Sequence, residues 1–272
     1  MTEQNKKTKP AATEVRKPFV TGEPCDERTF RSGLLFFGKM IMIFLVAFIA
    51  CATAAFDSFL LRLIMNSAVI LLVFIILYNN GSKAGADDVA KGEILWQKKE
   101  KDRPFSESER KMCFHKMKGF LVGLIGSVLF LIPAIYLALN TTIQMTDSGA
   151  LPGWMQGYAA RSDIGGALVN YTQPEGMQFI DFIRAIVRIM IIPFVNIAGS
   201  GNKAGILLVE RLSPLILLMP AAAYGAGYLS GKQARARIHT MISENERKRI
   251  RREKKKIARV SAAQGREPEK LN

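Results

Sequence analysis

Long stretches of this 272-residue chain lack charge, although 22% of its residues are charged and its net charge is +15. The charged residues collect in segments 1–32, 79–118 and 232–272, and the segments between them are largely apolar. The hydrocarbon core of a bilayer is about 30 Å thick and takes about 20 apolar residues per crossing helix. This segregation predicts an all-α integral membrane protein and argues against a soluble domain.

Catalytic and cofactor-binding motifs are absent as well. The sequence contains no GxSxG, no HExxH, no glycine-rich phosphate loop ending in Lys-Ser/Thr and no CxxC. We therefore expect no enzymatic activity and no cofactor. The centres of the predicted spans carry neither acid nor base, so proton-coupled transport has no visible carrier.

Cysteine and histidine are scarce. Cys25, Cys51 and Cys113 all lie outside the segment that we place on the external side, so no disulfide framework is expected. His115 and His239 are far apart in the chain and have no cysteine or acidic cluster at ligand spacing. We therefore expect no metal site.

Residues 33–78 are predicted to form a transmembrane hairpin. Its two apolar runs are Gly33–Phe56 and Phe59–Tyr78, separated by a short polar break. A cleaved secretory or lipoprotein signal is the alternative for the first run, because Phe48–Cys51 resembles a lipobox. The long polar leader and the second apolar run that follows at once argue against cleavage.

Residues 79–118 are predicted to be a cytoplasmic helical loop. Asn79-Asn80-Gly81 is typical of a helix end, and a short amphipathic helix is expected from Asp87 to Trp96. Ser106, with Glu109 three residues later, predicts a new helix start. We expect that helix to run without a break into the next span.

Residues 119–139 and 206–231 are predicted to be the third and fourth transmembrane helices. The four-residue spacing of Gly119 and Gly123 allows two helices to approach closely in lipid. The alternative is that glycine is simply common in membrane helices. The small residues between Tyr224 and Gly231 likewise suit tight packing.

The remaining segments are polar. Residues 1–32 are predicted to be a disordered tail, residues 140–178 a glycine-rich loop and residues 232–272 a basic tail. Within the last of these, Ser243 and Glu246 predict a helix start.

The distribution of lysine and arginine predicts the topology. Residues 1–32 hold seven of them, 79–118 hold ten and 232–272 hold fourteen, whereas 140–178 hold one. Basic residues accumulate in cytoplasmic loops close to the spans. We therefore expect both termini in the cytoplasm and the glycine-rich loop outside.

This topology requires an odd number of crossings after the external loop, where the chain has two apolar segments. We expect residues 179–201 to form an outer interfacial or re-entrant amphipathic helix, which leaves four spans. Asp181, Arg184 and Arg188 share one helical face there. Five full spans are the alternative, and they would place the most basic segment outside.

Two clusters of basic residues are candidate binding sites. Arginines expected near one depth at the outer boundary could bind an anionic lipid or phosphorylated ligand. These arginines are Arg62, Arg184, Arg188 and Arg211. The alternative is mutual pairing with Asp57, Asp181 and Glu210, together with snorkelling.

The second cluster lies in the trailing tail and is predicted to bind an anionic membrane surface. Its residues are Arg247, Lys248, Arg249, Arg251, Arg252, Lys254, Lys255 and Lys256. Nucleic acid or the ribosome would attract the same run, but no aromatic residue lies within it to stack on a base.

The leading functional hypothesis is a non-enzymatic scaffold or subunit of a membrane assembly in a prokaryotic plasma membrane. The alternative is a small transporter or lipid-handling protein that uses the outer arginines. Anionic lipids are the expected partners, a membrane protein is a further candidate, and nucleic acid is the least favoured one.

The four-span topology can be tested by cysteine labelling. Cysteines introduced at Thr8 and Ala262 should be shielded from an impermeant thiol reagent in intact cells, whereas a cysteine at Ser148 should react. Lysed cells provide the control in which all three react. Labelling of Ala262 before lysis would favour five spans.

Overall fold

A computed structural model of the protein describes residues 17–53, 58–142, 155, 157–158, 161–164, 178–199 and 201–264. The described part is helical and contains no β-strand. Its helices are α1 (Glu27–Thr53), α2 (Phe59–Glu100), α3 (Glu107–Lys111), α4 (Lys118–Asn140), α5 (Phe179–Met190), α6 (Ile192–Ala198) and α7 (Lys203–Gln264).

Four helices, α1, α2, α4 and α7, are long and apolar enough to cross a bilayer. Many of their large apolar side chains are exposed, especially along α1 and α2. Soluble proteins rarely expose apolar surface of this extent. These features indicate a membrane-embedded protein, and they confirm the predicted all-α class. The expected bounds of the spans differ from the observed helices mainly because α2 and α7 continue far beyond their apolar runs.

The contact between α2 and α7 is the most extensive in the bundle, and the two helices run in the same direction. Gly81 of α2 packs against the backbone of Tyr224, and Gly85, one turn later, packs against the backbone of Tyr228. A Cβ atom at either glycine would overlap a carbonyl oxygen of α7. Both glycines are therefore required for the close approach of the backbones.

The lengths of α2 and α7 overturn two expectations. Asn79-Asn80-Gly81 does not end a helix, because α2 continues without interruption to Glu100. Likewise, α7 continues through Ser243, whose hydroxyl donates to the Thr240 carbonyl within the helix instead of starting a new one. Asn79-Asn80-Gly81 lies at a helix interface, and the pairing of α2 with α7 holds it in helical conformation.

Helix α4 runs antiparallel to α7 and packs on it through the predicted glycine spacing. Gly119 faces the Tyr228 ring, and Gly123 faces Ala221, where an added Cβ would lie 2.9 Å from the carbonyl oxygen. The expectation of close packing at these two glycines is confirmed.

Helix α1 runs parallel to α4, as the pairing of Phe37 with Phe130 and of Gly33 with Gly126 shows. Two helices therefore run in each direction. The beginnings of α1 and α4 and the ends of α2 and α7 lie at one end of the bundle, which we call the basic end. The other end carries α5 and α6, and we call it the loop end.

The break between α3 and α4 was not expected. Phe114 turns inward in this connection and stacks on the Tyr228 ring, with 5.1 Å between ring centroids and 7° between planes. The Lys118 amine donates to the Lys111 and Met112 carbonyls at 3.4 and 3.3 Å, which satisfies the end of α3. A continuous helix would have removed Phe114 from this core, so the chain turns instead.

Part of the expected disordered tail is also ordered. Residues 17–26 lie extended along the basic end, where Val20 donates to the Gly92 carbonyl at 3.1 Å and Gly22 to the Phe114 carbonyl at 3.0 Å. Phe19 packs edge-on against Phe114. The two hydrogen bonds and the ring contact hold a segment whose charge and prolines predicted disorder. Residues 1–16 lie outside the described part.

The glycine contact between α2 and α7 can be tested with matched substitutions. Gly85→Ala should destabilise the protein by about 2 kcal/mol, because the new methyl group overlaps the Tyr228 carbonyl. Gly38→Ala in α1 provides the control, since its Cβ would meet no atom within 4 Å and alanine favours the helix. Thermal denaturation in mild detergent would compare the two, and equal effects would contradict a specific contact.

Candidate functional site

Helices α5 and α6 form a helical hairpin that packs among the long helices at the loop end. Phe179, at the start of α5, lies near Tyr136 at the end of α4, with 6.1 Å between ring centroids. At the turn of the hairpin, Met190 and Pro193 reach the apolar middle of the bundle beside Phe44. The hairpin thus enters the bundle and returns toward the loop end.

Three polar groups fix the returning arm of this hairpin. The Asn196 amide of α6 donates to the Cys51 carbonyl of α1 at 3.2 Å and to the Asn66 side chain of α2 at 3.4 Å. Asn66 is 1% exposed and donates to the Arg62 carbonyl one turn earlier. Buried amides need such partners. Asn196 therefore joins α6 to two long helices at once.

The inward arm is fixed by an ionic cluster around Glu210 of α7, which is 1% exposed. Two nitrogens of the Arg188 guanidinium, Nη2 and Nε, lie 2.6 and 2.7 Å from Oε1 of Glu210. Arg184 lies 3.5 Å from the same oxygen and 2.6 Å from Asp181. The Thr141 hydroxyl donates to the other Glu210 oxygen. We call these five residues the outer ionic cluster.

The charges of the outer ionic cluster cancel, because two arginines meet two carboxylates. Arg184 is itself buried. A buried charge is costly unless it is paired, and here each arginine has a carboxylate partner. The geometry thus favours mutual pairing over an open phosphate clamp for Arg184 and Arg188. The cluster joins α5 to α7 and to the segment that follows α4.

The other two predicted outer arginines lie apart from this cluster. Arg62 lies against the Gly199 backbone, whose φ of 81° is accessible to glycine and strained for other residues. Arg211 is exposed and makes no ion pair with any described residue. Asp57, one of the three acidic residues expected to pair with the outer arginines, lies outside the described residues. The structure therefore brings together only two of the four arginines.

A second ionic cluster lies at the basic end, around Asp88 of α2. Asp88 accepts from the Tyr228 hydroxyl at 2.8 Å and lies 2.8 Å from the Lys91 amine and 3.2 Å from the Lys118 amine. Lys118 is only 6% exposed. This arrangement ties the start of α4 to the α2–α7 pair.

One turn further along α2, Glu93 pairs with two residues of α7. Arg235 approaches its carboxylate to 3.0 Å and His239 to 2.7 Å, and Glu93 is 6% exposed. Together with the Asp88 cluster, this pairing extends the α2–α7 contact well beyond the apolar runs. Residues 81–93 of α2 and 224–239 of α7 are therefore paired along their length at the basic end, and we call this pair the stem.

The stem residues were missed as candidates in the sequence. Gly81, Gly85 and Asp88 are spaced four and three residues apart and so share one face of α2. A carboxylate that continues a stripe of small residues indicates a polar contact at a helix interface. The spacing of Gly81, Gly85 and Asp88 could have indicated this contact, but the prediction of a turn at Gly81 excluded a continuous helix face.

The predicted basic cluster lies on the last part of α7, beyond the stem. Residues 244–259 of α7 are exposed, and the ion pair within this stretch joins Arg249 to Glu253 at 3.6 Å in the same helix. Nothing else in the described part covers these residues. Their charge is therefore presented to the surroundings.

The outer ionic cluster makes a testable contribution to stability. Glu210→Gln should lower the free energy of unfolding by about 3 kcal/mol, because it leaves two arginines facing a single carboxylate. The neighbouring exposed residue provides the control, and Arg211→Gln should change stability by less than about 0.5 kcal/mol. Denaturant titration in micelles would measure both. An unchanged free energy of unfolding for Glu210→Gln would contradict this prediction and show that solvent reaches the cluster.

No protein-family model, no curated protein and no solved structure matches the chain.

Proposed function

We propose that the protein is a non-enzymatic membrane scaffold, a subunit that holds a rigid basic helix away from the bilayer for an acidic partner. The observation that carries this proposal is the continuity of α7. It runs for 62 residues from the loop end, through the bundle and along the stem, into the exposed basic stretch. At 1.5 Å per residue, such a helix is roughly 93 Å long.

The proposed topology has four spans, with both termini in the cytoplasm. Its support is that the start of α1 and the end of α7 lie at the same end of the bundle, where the lysines and arginines also concentrate. Helices α5 and α6, with 12 and 7 residues, are each too short to cross. Their packing among the long helices supports a re-entrant hairpin over a helix lying on the surface.

The distance of the basic cluster from the apolar region argues for a partner in the aqueous phase. Gly227 packs against Tyr78, the last residue of the apolar run of α2, and the proposed topology places the boundary of the bilayer at this level. Residues 247–256 lie roughly 30 to 43 Å farther along α7. Electrostatic attraction to lipid headgroups is screened over about 8 Å at physiological ionic strength. The tail is therefore too distant to act mainly as a leaflet anchor.

The arrangement of charge around the helix points the same way. At 3.6 residues per turn, the eight basic residues between 247 and 256 cover roughly 220° of the helix circumference, and Ile250, Glu253 and Ile257 share the remaining side. Helices that lie on a membrane need a broad apolar face, and Ile250 and Ile257 are the apolar residues near this run. A narrow side that holds two isoleucines and a glutamate favours a helix in solvent over one that lies on the membrane.

The position of the tail can be measured in nanodiscs that contain anionic lipid. A fluorophore at Lys256→Cys should escape a quencher carried on the lipid headgroups, whereas one at Leu229→Cys should be quenched. Replacing exposed Cys25 with serine leaves Cys51 and Cys113, which are fully buried. Burial also raises the pKa of the Cys113 thiol and so slows its labelling.

The scaffold role is tested by copurification of the full chain from mild detergent. Wild type should bring a stoichiometric acidic partner, and a variant with all eight basic residues changed to glutamine should lose it. A control with every arginine of the run changed to lysine keeps the charge and should retain the partner. Equal quenching at both label positions, or a chain that always purifies alone, would overturn the proposal.

A further inference from the structure

The stem encloses a cavity of about 340 Å³ that plays no part in the scaffold role. It lies between α2, α7 and the extended segment before α1, just beyond the boundary marked by Gly227. Cavities of this size hold small ligands. One wall is apolar and is formed by Phe19, Val89 and Leu229.

The rest of the lining is mostly basic. Lys17, Lys232, Arg235 and His239 line it, with Glu93 as the acidic member. Glu93 already accepts both Arg235 and His239, so its charge is used within the stem. Lys17, Lys232 and Arg235 therefore bring three positive charges to a lining that holds one carboxylate.

Lys232 is the centre of this excess. Its amine lies over the rings of Phe114 and Phe19, 4.7 and 5.4 Å from their centroids, and pairs with no carboxylate among the described residues. Two aromatic faces hold the amine in place without cancelling its charge, while burial and the nearby Lys116 lower the pKa of the amine. The amine is therefore positioned at the cavity and remains available to an anion.

The extended segment before α1 completes the cavity. Its hydrogen bonds to the Gly92 and Phe114 carbonyls hold Phe19 against the stem. Lys17, two residues earlier, is exposed and reaches the cavity wall. Two lysines from distant parts of the chain thus converge on one cavity.

We propose that this cavity binds the phosphate group of an anionic ligand, with Lys232 and Lys17 supplying the charge and Phe19, Val89 and Leu229 contacting an organic portion. Lysine amines bind phosphate as point charges and without a fixed direction. The location at the bilayer boundary admits two sources of this group. One is a phospholipid headgroup of the adjacent leaflet, and the other is a soluble phosphate monoester.

Calorimetric titration of the full chain in a nonionic detergent tests the site. The probes are dioctanoyl phosphatidic acid and glycerol 3-phosphate, with dioctanoylglycerol as the probe that lacks phosphate. At least one phosphate probe should bind, and dioctanoylglycerol should not. A phosphatidic acid affinity at least tenfold above that of glycerol 3-phosphate assigns the site to a lipid, and a smaller ratio assigns it to a soluble compound.

Variants identify the binding groups. Lys232→Met, which keeps the aliphatic stem, should weaken phosphate binding at least tenfold, and Lys232→Arg should restore it. Lys17→Met changes an exposed side chain and should weaken binding severalfold even if Lys232→Met perturbs the stem. Lys83→Met, an exposed lysine of α2, is the matched control and should bind like wild type. No binding of either phosphate probe, or equal binding by wild type and both methionine variants, would overturn the proposal.

Discussion

The close contact between α2 and α7 is the constraint on which the rest of the structure depends. Lipid tails are as apolar as leucine, so helices in a bilayer gain little from hiding apolar surface and rely on tight packing. Gly81 and Gly85 of α2, and Gly227 and Gly231 of α7, bring two backbones together. The Asp88 and Glu93 pairs can then form across the contact, and the basic end becomes one rigid body.

The two ends of the bundle use charge differently. At the loop end, Glu210 neutralises arginines of the inserted hairpin, so the charges serve packing within the bundle. At the basic end, the stem pairs its own carboxylates and leaves Lys232 and the run at 247–256 uncompensated. Positive charge that no carboxylate of the fold neutralises is available for ligands and partners. The proposed partner-binding helix and the proposed phosphate site therefore both lie at the basic end.

The sequence alone predicted the helical class, the four apolar segments and the contact at Gly119 and Gly123, because each follows from local composition or spacing. It failed at Gly81, where a distant neighbour, Tyr224, holds a turn-favouring residue inside a long helix. It also failed at Ser243, whose hydroxyl donates to the Thr240 carbonyl within α7 instead of capping a new helix. The Glu93–His239 pair was equally out of reach, since it joins residues 146 positions apart. Local rules describe a segment, but these features belong to a pair of segments.

The parallel pairing of α2 with α7 also imposes an order on biosynthesis. The partner of Gly81 is Tyr224, which leaves the ribosome roughly 7 to 30 s later at usual elongation rates. During that interval α1, α2 and α4 can enter the membrane, while the glycine face of α2 has no native partner. Helix α7, which is made after α1, α2 and α4, is therefore the one that closes these contacts, so the stem cannot assemble before the residues around Tyr224 have been made.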